Sequence, residues 1–107
     1  MFVDIFENQQ DVFNQFTASQ QEVVGVQILC AAYSYEDYSG YAYVLFEKDG
    51  KLFEVHGSHC SCYGLEDQWE PEETTKEAIL FRVNRGTFGY GQEFDDYLKQ
   101  RMLARSE

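Results

Sequence analysis

A two-residue turn between two alternating apolar runs constrains the fold of this chain more than any other feature. Asp49-Gly50 separates YAYVLFEK, residues 41–48, from KLFEVH, residues 51–56. Asp-Gly is a strong signal for a type I′ hairpin turn, because both central residues of that turn need positive φ angles. The alternation on either side indicates two β-strands. The sequence therefore predicts a β-hairpin at this point.

The length of the loop also predicts how the two strands pair, since a two-residue turn fixes the register. The predicted pairs are Lys48 with Lys51, Phe46 with Phe53, Leu45 with Glu54, Val44 with Val55, and Tyr43 with His56. Neighbouring residues of a strand point to opposite faces. One face is then apolar, with Val44, Phe46, Phe53 and Val55, and the other is mixed, with Tyr41, Tyr43, Leu45, Glu54 and His56. We expect the apolar face to belong to the core.

The rest of the chain predicts the other elements of an α+β fold. Apolar spacing and β-rich composition indicate a helix near 8–20, a strand over 23–35, a helix over 74–85 and a helix near 92–105. Thr74 with Glu77 fits a capping box for the third of these elements. The expected architecture is a single domain, 1–107, with an N-terminal helix, a three-stranded antiparallel sheet and two C-terminal helices packed on one face.

The charge balance limits the classes of partner. Nineteen acidic side chains against eight basic ones give a formal net charge of −11. Direct binding to nucleic acid or to an anionic membrane needs a basic surface, so neither is expected. An acidic protein is attracted instead to a basic partner, although an acidic surface also serves solubility alone. We therefore expect a basic protein as the partner.

Three further features predict a cytoplasmic protein. The segment MFVDIFENQQDVFN lacks the basic start and the continuous apolar stretch of a signal peptide. No apolar run has the length of a transmembrane helix. An odd number of cysteines, three in this chain, favours reduced thiols.

Four potential zinc ligands, His56, His59, Cys60 and Cys62, fall within seven residues. One residue separates the cysteines instead of the usual two, so in an extended chain they stand roughly 6.5–7 Å apart. That spacing is too wide for two sulfurs on one zinc ion unless the chain turns. No cofactor is therefore the main expectation, with the loop as a scaffold, and zinc is the alternative. A nucleophilic Cys60 or Cys62 is a third hypothesis, which the acidic surroundings disfavour, and no catalytic residue is assigned.

Acidic and aromatic residues cluster in two segments. Six acids and one base lie between Leu65 and Glu77, beside Tyr63 and Trp69, and a tyrosine-rich stretch spans 33–41. Aromatic rings with a charged rim are typical of protein interfaces, whereas tyrosines packed at a sheet edge are the simpler alternative. The predicted partner-binding residues are Tyr35, Glu36, Asp37, Tyr38, Tyr63, Glu66, Asp67, Trp69, Glu70, Glu72 and Glu73.

The strings GSHCSCYGLE, residues 57–66, and QWEPEET, residues 68–74, resemble a signature of small uncharacterised phage and prophage proteins. The segment 33–55 is similar as well, so the resemblance covers about half the chain, from Tyr33 to Leu80. The resemblance implies a phage accessory protein in a bacterial host cytoplasm, and it supplies no activity and no catalytic residue. By analogy of class, small acidic phage proteins are often inhibitors of host enzymes and defence systems, nucleic-acid mimics among them.

Together these observations predict a non-enzymatic acidic binding protein. It would occupy a basic, nucleic-acid-binding site on a host defence protein such as a nuclease or a CRISPR effector, in the latter case as an anti-CRISPR protein. The mixed face of the sheet is expected to carry exposed tyrosines, which leaves a homodimer open.

Overall fold

The fold of the chain was analysed in a computed structural model, which describes residues 2, 6–34, 39–60, 64–65, 68–85 and 90–105, with Ser39 and Cys60 as backbone. The elements in chain order are α1 Gln9–Phe16, α2 Gln20–Val23, β1 Gln27–Tyr33, β2 Ser39–Lys48, β3 Lys51–Cys60, β4 Glu72–Thr74, α3 Lys76–Arg85 and α4 Gln92–Leu103. The strands form an antiparallel sheet in the order β1-β2-β3-β4. The predicted α+β class is confirmed.

The β2–β3 hairpin has the predicted turn and the predicted register. Asp49 and Gly50 both have positive φ angles, 55° and 77°. Lys48 pairs with Lys51, and the register continues without a break to the pair Ser39 and Cys60. All five predicted residue pairs are present. The turn residues and the strand alternation are therefore sufficient to define this part of the fold.

A fourth strand, β4, corrects the prediction of three strands. Its residues Glu72–Thr74 pair with Leu52–Glu54 at the open edge of β3. A strand of three residues with two glutamates has no apolar alternation, so its sequence carries no strand signal. It forms because the edge of β3 offers unpaired backbone groups to the chain that passes beside it.

The boundaries of the N-terminal helix and of α3 also differ from the predicted ones. The N-terminal helix is divided because Thr17 adopts a left-handed conformation, φ 51°, that ends α1. Ser19 then begins α2 with a capping box to Glu22. At α3 the cap is Thr75 rather than Thr74, since the Oγ1 of Thr75 accepts a hydrogen bond from the N–H of Ala78 at 3.1 Å.

Both faces of the sheet are covered, which corrects the expectation of one open, tyrosine-bearing face. We call the face that carries Val44, Phe46, Phe53 and Val55 the aromatic face. It packs against α1, Leu65 and Trp69, and its further buried residues are Phe6, Val12, Phe13, Phe16, Val26, Ile28, Ala31 and Ala42. On this face the core is continuous from α1 across the sheet.

The opposite side, which carries Tyr43, Leu45, Leu52 and Glu54, is called the helical face because α3 and α4 cover it. The buried partners from those helices are Ile79, Val83, Phe94, Leu98 and Met102. Tyr43 is 1% exposed, whereas Tyr41, two residues earlier in β2, is 67% exposed. In the parts of the chain that the structure describes, no helix is long and apolar enough to cross a membrane.

A bulge in β1 adds residues to the core of the helical face. The register with β2 shifts between Ile28 and Cys30, so Leu29 is an extra residue in the strand. Leu29 and Cys30 both join the core of the helical face. Burial raises the pKa of the Cys30 thiol to about 12, so this cysteine acts as a small apolar residue.

Candidate functional site

The predicted binding residues that the structure brings together lie along the β4 edge. Glu70, Glu72 and Glu73 are all exposed. No lysine or arginine occurs between Lys51 and Lys76. Within the described ranges, none of the three glutamates has an ion-pair partner. We refer to these three residues as the acidic edge.

The strand pairing divides the acidic edge between the two faces of the sheet. Glu72 pairs with Glu54, and Glu73 pairs with Phe53. Residues that pair directly across two antiparallel strands project from the same face. Glu72 therefore lies on the helical face and Glu73 on the aromatic face, so the negative charge extends around the border of the sheet.

Trp69 is a core residue, which corrects its prediction as an exposed binding residue. The side chain is 6% exposed and lies among Phe13, Phe16 and Phe46. Its ring is stacked on Phe46, with centroids 5.5 Å apart and an interplanar angle of 14°. The indole Nε1–H has no hydrogen-bond partner among the described residues. Trp69 therefore anchors the chain just before the acidic edge, because burial of a ring this large outweighs one unpaired donor.

Gln68 fixes the same segment to the edge of β3. Its Oε1 accepts a hydrogen bond from the Ser58 N–H at 2.8 Å, and its Nε2 donates to the Ser58 carbonyl at 2.7 Å. The same Nε2 also donates to the carbonyl of Gly64 at 2.9 Å. The side-chain amide thus takes the place that a strand backbone would have, and β4 begins four residues later in the same register.

The second predicted patch lies outside the part of the chain that the structure describes. Tyr35, Glu36, Asp37 and Tyr38 lie outside the described residues, as do Tyr63, Glu66 and Asp67. Ser39, which follows the tyrosine-rich segment, pairs with Cys60, whereas β4 pairs with 52–54. Six residues of strand separate these positions, roughly 20 Å. The flank of the tyrosine-rich segment and the acidic edge are therefore at opposite ends of β3.

A buried carboxylate on the helical face was not among the predicted site residues. Glu54 is 8% exposed, and its Oε2 accepts a hydrogen bond from the Tyr43 hydroxyl at 2.9 Å and another from the Arg82 guanidinium. Its Oε1 lies 3.4 Å from the Nε2 of His56. The sequence carried a signal for this buried position, because the predicted hairpin register pairs Glu54 with the apolar residue Leu45.

The electrostatics of Glu54 indicate a structural role. Burial alone would raise its pKa, but the contacts with His56, Arg82 and Tyr43 outweigh burial and lower the pKa to about 2. Burial and the adjacent Glu54 carboxylate raise the pKa of Tyr43. A carboxylate that is ionised and has both oxygens engaged is a poor proton acceptor. The Glu54–Arg82 pair instead connects α3 to the sheet.

His59 belongs to a second buried polar cluster, at the far end of the aromatic face. It is 4% exposed and stacked on Tyr33 at 4.2 Å. Its Nδ1 lies 3.1 Å from the Tyr33 hydroxyl, and its Nε2 lies 2.7 Å from the Ser34 carbonyl oxygen. Gly40 is required beside it, because a Cβ there would lie 2.0 Å from that carbonyl oxygen and 2.6 Å from Nε2.

The geometry of β3 separates the histidines of the proposed zinc site. His56 and His59 are three residues apart in one strand, so their side chains lie on opposite faces. The Cα atoms of His56 and Cys60 are about 13 Å apart along the strand. The described residues contain no group of three potential metal ligands, and Cys62 lies outside them. Zinc bound through the cysteines stays a prediction, and elemental analysis of protein purified without a histidine tag is its test.

Comparisons with protein-family models, curated proteins and solved structures found no match for this chain.

Proposed function

We propose that the protein is a non-enzymatic, acidic binding protein that occupies a basic site on another protein. The observation that carries this proposal is the acidic edge, three exposed glutamates without ion-pair partners among the described residues, of which Glu72 and Glu73 lie in β4 and Glu70 directly precedes that strand. Carboxylates that are not neutralised within their own protein attract a cationic partner and orient it on approach. The buried ring of Trp69 and the amide of Gln68 support the edge, so little order has to be gained on binding.

The distribution of charge over the chain supports the same proposal. Residues 1–75 carry fourteen acidic and two basic side chains, whereas residues 76–107 carry five acidic and six basic ones. The part of the sequence that contains α3 and α4 is therefore close to neutral, and the surplus of negative charge belongs to the part before it. Such asymmetry favours one orientation toward a basic partner.

The resemblance to phage accessory proteins suggests which partner this is. We infer a bacterial host defence protein, a nuclease or a CRISPR effector, whose basic nucleic-acid-binding site would be blocked. A channel that binds phosphates is lined by lysine and arginine, which is the surface that a row of carboxylates complements. On this proposal the protein acts in the host cytoplasm and needs no cofactor.

The test compares two charge-reversed proteins of equal net charge. The first is E70K/E72K/E73K, and the control is E77K/E93K/D96K, which changes three exposed acids of α3 and α4. Each protein is immobilised and exposed to host lysate at low and at high salt, and the affinity of each captured basic protein is then measured with purified components. We expect wild type and control to bind at low salt only, and the first variant to lose binding. Equal binding by both variants, with both folded, would show that the acidic edge is not the attachment surface.

A further inference from the structure

The two edges of the sheet differ in whether their backbone groups already have partners. On the outer side of β1, the Ile28 N–H donates a hydrogen bond to the Oε1 of Gln9 at 2.9 Å. The Leu29 carbonyl in the β-bulge accepts a hydrogen bond from the Tyr97 hydroxyl, also at 2.9 Å. Side chains and the bulge therefore obstruct the β1 edge against a further strand.

At the opposite edge, the hydrogen bonds of β3 show which backbone groups of β4 point outward. The N–H and C=O of Ser58 point toward the β4 side of β3, because both bond to the side chain of Gln68. These directions alternate along a strand, and β3 pairs with β2 without a break in register. Glu54, four residues before Ser58, therefore points its N–H and C=O toward β4, where Glu72 is its hydrogen-bonded partner.

Glu73 is the residue of β4 whose backbone groups face away from the sheet. It lies in the alternate, non-hydrogen-bonded pair with Phe53, so its own N–H and C=O point away from β3. Neither group has a hydrogen-bond partner among the described residues. Pro71 lacks an N–H on one side, and α3 begins at Lys76 on the other, so the open edge is short. β4 thus presents one N–H and one C=O to a strand outside the sheet.

The side chains along this open edge are acidic. The three glutamates of the acidic edge lie within the segment 70–74, which contains no basic residue. A strand added outside β4 would lie about 4.8 Å from it and about twice as far from β3. The glutamates are then its nearest charged neighbours, whereas Lys51 belongs to β3 and is one strand further away. Lys76 directs its ammonium to the Arg105 carbonyl at 2.9 Å. The open edge therefore favours a strand that carries cations.

We propose that β4 binds an extended, basic segment of the partner protein as a fifth strand of the sheet, an inference that rests on the proposed function. The residue of that segment opposite Glu73 would exchange two backbone hydrogen bonds with it. Cations at that position and the next would pair with Glu73 and Glu72, which project from opposite faces. The backbone bonds accept any strand, and the glutamates restrict it to a basic one. A second copy of the chain would instead place two acidic strands side by side, which is unfavourable.

The test uses two capped peptides of equal charge, acetyl-hexa-lysine amide and the same peptide methylated at the backbone nitrogen of each lysine, titrated into the protein at low salt. N-methylation removes the N–H that would donate to the Glu73 carbonyl and leaves the ammonium groups unchanged. Calorimetry should show that the methylated peptide binds about three- to tenfold more weakly, because backbone hydrogen bonds are lost. Amide exchange measured by NMR should slow at Glu73 with the unmodified peptide only. Thr74, whose N–H faces β3, is the internal control.

Two variants of Glu73 separate the contribution of its backbone from that of its charge. Glu73→Gln removes the carboxylate and keeps the N–H, so it should weaken both peptides to a similar extent. Glu73→Pro removes the carboxylate together with the outward N–H, a change that an edge strand tolerates. It should therefore also bring the affinities of the two peptides close together. If Glu73→Pro does not fold, as judged by its circular dichroism, the two peptides on wild type and the exchange of the Glu73 amide decide.

The outcomes separate this proposal from the proposed function. Equal affinities of the two peptides, with unchanged exchange at Glu73, would overturn strand addition and leave the acidic edge as the binding surface. Binding of neither peptide would contradict both proposals. Equal protection of the Glu73 amide by uncharged acetyl-hexa-threonine amide would overturn the preference for a basic segment. Protection that rises with protein concentration, without any peptide, would overturn the proposal in favour of a second copy of the chain.

Discussion

The two faces of the sheet obtain their stability in different ways. The aromatic face is filled by stacked and edge-on rings around Trp69. The helical face contains aliphatic residues together with an ionised carboxylate, Glu54, that Arg82 and Tyr43 neutralise and hydrogen-bond. Deletion of a buried side chain should therefore lower the free energy of unfolding most on the aromatic face. Acid should destabilise mainly the helical face, because it protonates Glu54.

The largest effect is expected from removing the central ring of the aromatic face. Trp69→Ala should lower the free energy of unfolding by about 3–5 kcal/mol, because it deletes a buried ring that contacts three others. Urea unfolding followed by circular dichroism measures this change. Trp69→Phe is the control, since it keeps a ring and removes the unpaired Nε1–H, and it should cost clearly less. A loss below about 1 kcal/mol for Trp69→Ala would mean that the aromatic face is not the stronger core.

The next effect concerns the polar end of the aromatic face. Gly40→Ala should lower the free energy of unfolding by about 1–3 kcal/mol, because the new Cβ overlaps the Ser34 carbonyl oxygen and the His59 ring. Ser58→Ala, at an exposed position of β3, is the matched control and should change little. Thermal unfolding of both variants compares them. Equal stability of the two would show that the close approach of His59 to β2 is not required.

On the helical face, Glu54→Gln should cost about 1.5–3 kcal/mol at neutral pH, the typical contribution of hydrogen bonds to a charged group. The cost should also depend on pH. The pKa of Glu54 is lowered from 4.5 to about 2 in the folded protein, so its stabilising contribution is complete above the unfolded pKa and is lost as the pH falls from about 5 to about 2.

Urea unfolding of wild type and Glu54→Gln at several pH values in this window is the measurement. The difference between the two proteins should shrink as the pH is lowered, whereas the cost of Trp69→Ala should stay the same. A Glu54→Gln cost that is constant from neutral pH to pH 2 would remove the distinction between the faces.

The smallest effect on stability is expected at the acidic edge that separates the two faces. Glu70→Gln should change the free energy of unfolding by no more than about 0.5 kcal/mol, because the side chain is exposed and outside any ion pair of the described residues. The same substitution should weaken binding of a basic partner in a salt-dependent way. A large loss of stability here would assign the glutamate to the fold rather than to binding.

The β2–β3 hairpin and the segment that forms β4 differ in how much of their structure the sequence could predict. The β2–β3 hairpin could be derived in full, because Asp49-Gly50 specifies its own turn and the alternation of the strands depends only on neighbours along the chain. The segment from Gln68 to Thr74 could not, because its conformation depends on partners distant in sequence. Local charge suggested an exposed segment, and the alternation of polar Gln68, apolar Trp69 and acidic Glu70 was the one available sign that the ring points inward.

The sequence by itself determined the α+β class, the hairpin register, the surplus of negative charge and the acidic character of the segment that became β4. Tertiary structure alone decided that Trp69 is buried, that Glu54 pairs with Arg82, that His56 and His59 face opposite sides, and that β4 has an open outer edge. The physical reason is the range of the interactions. Turn geometry and alternation act between neighbours in the chain, whereas burial and ion pairing depend on surfaces that exist only after the sheet and both helical layers have assembled.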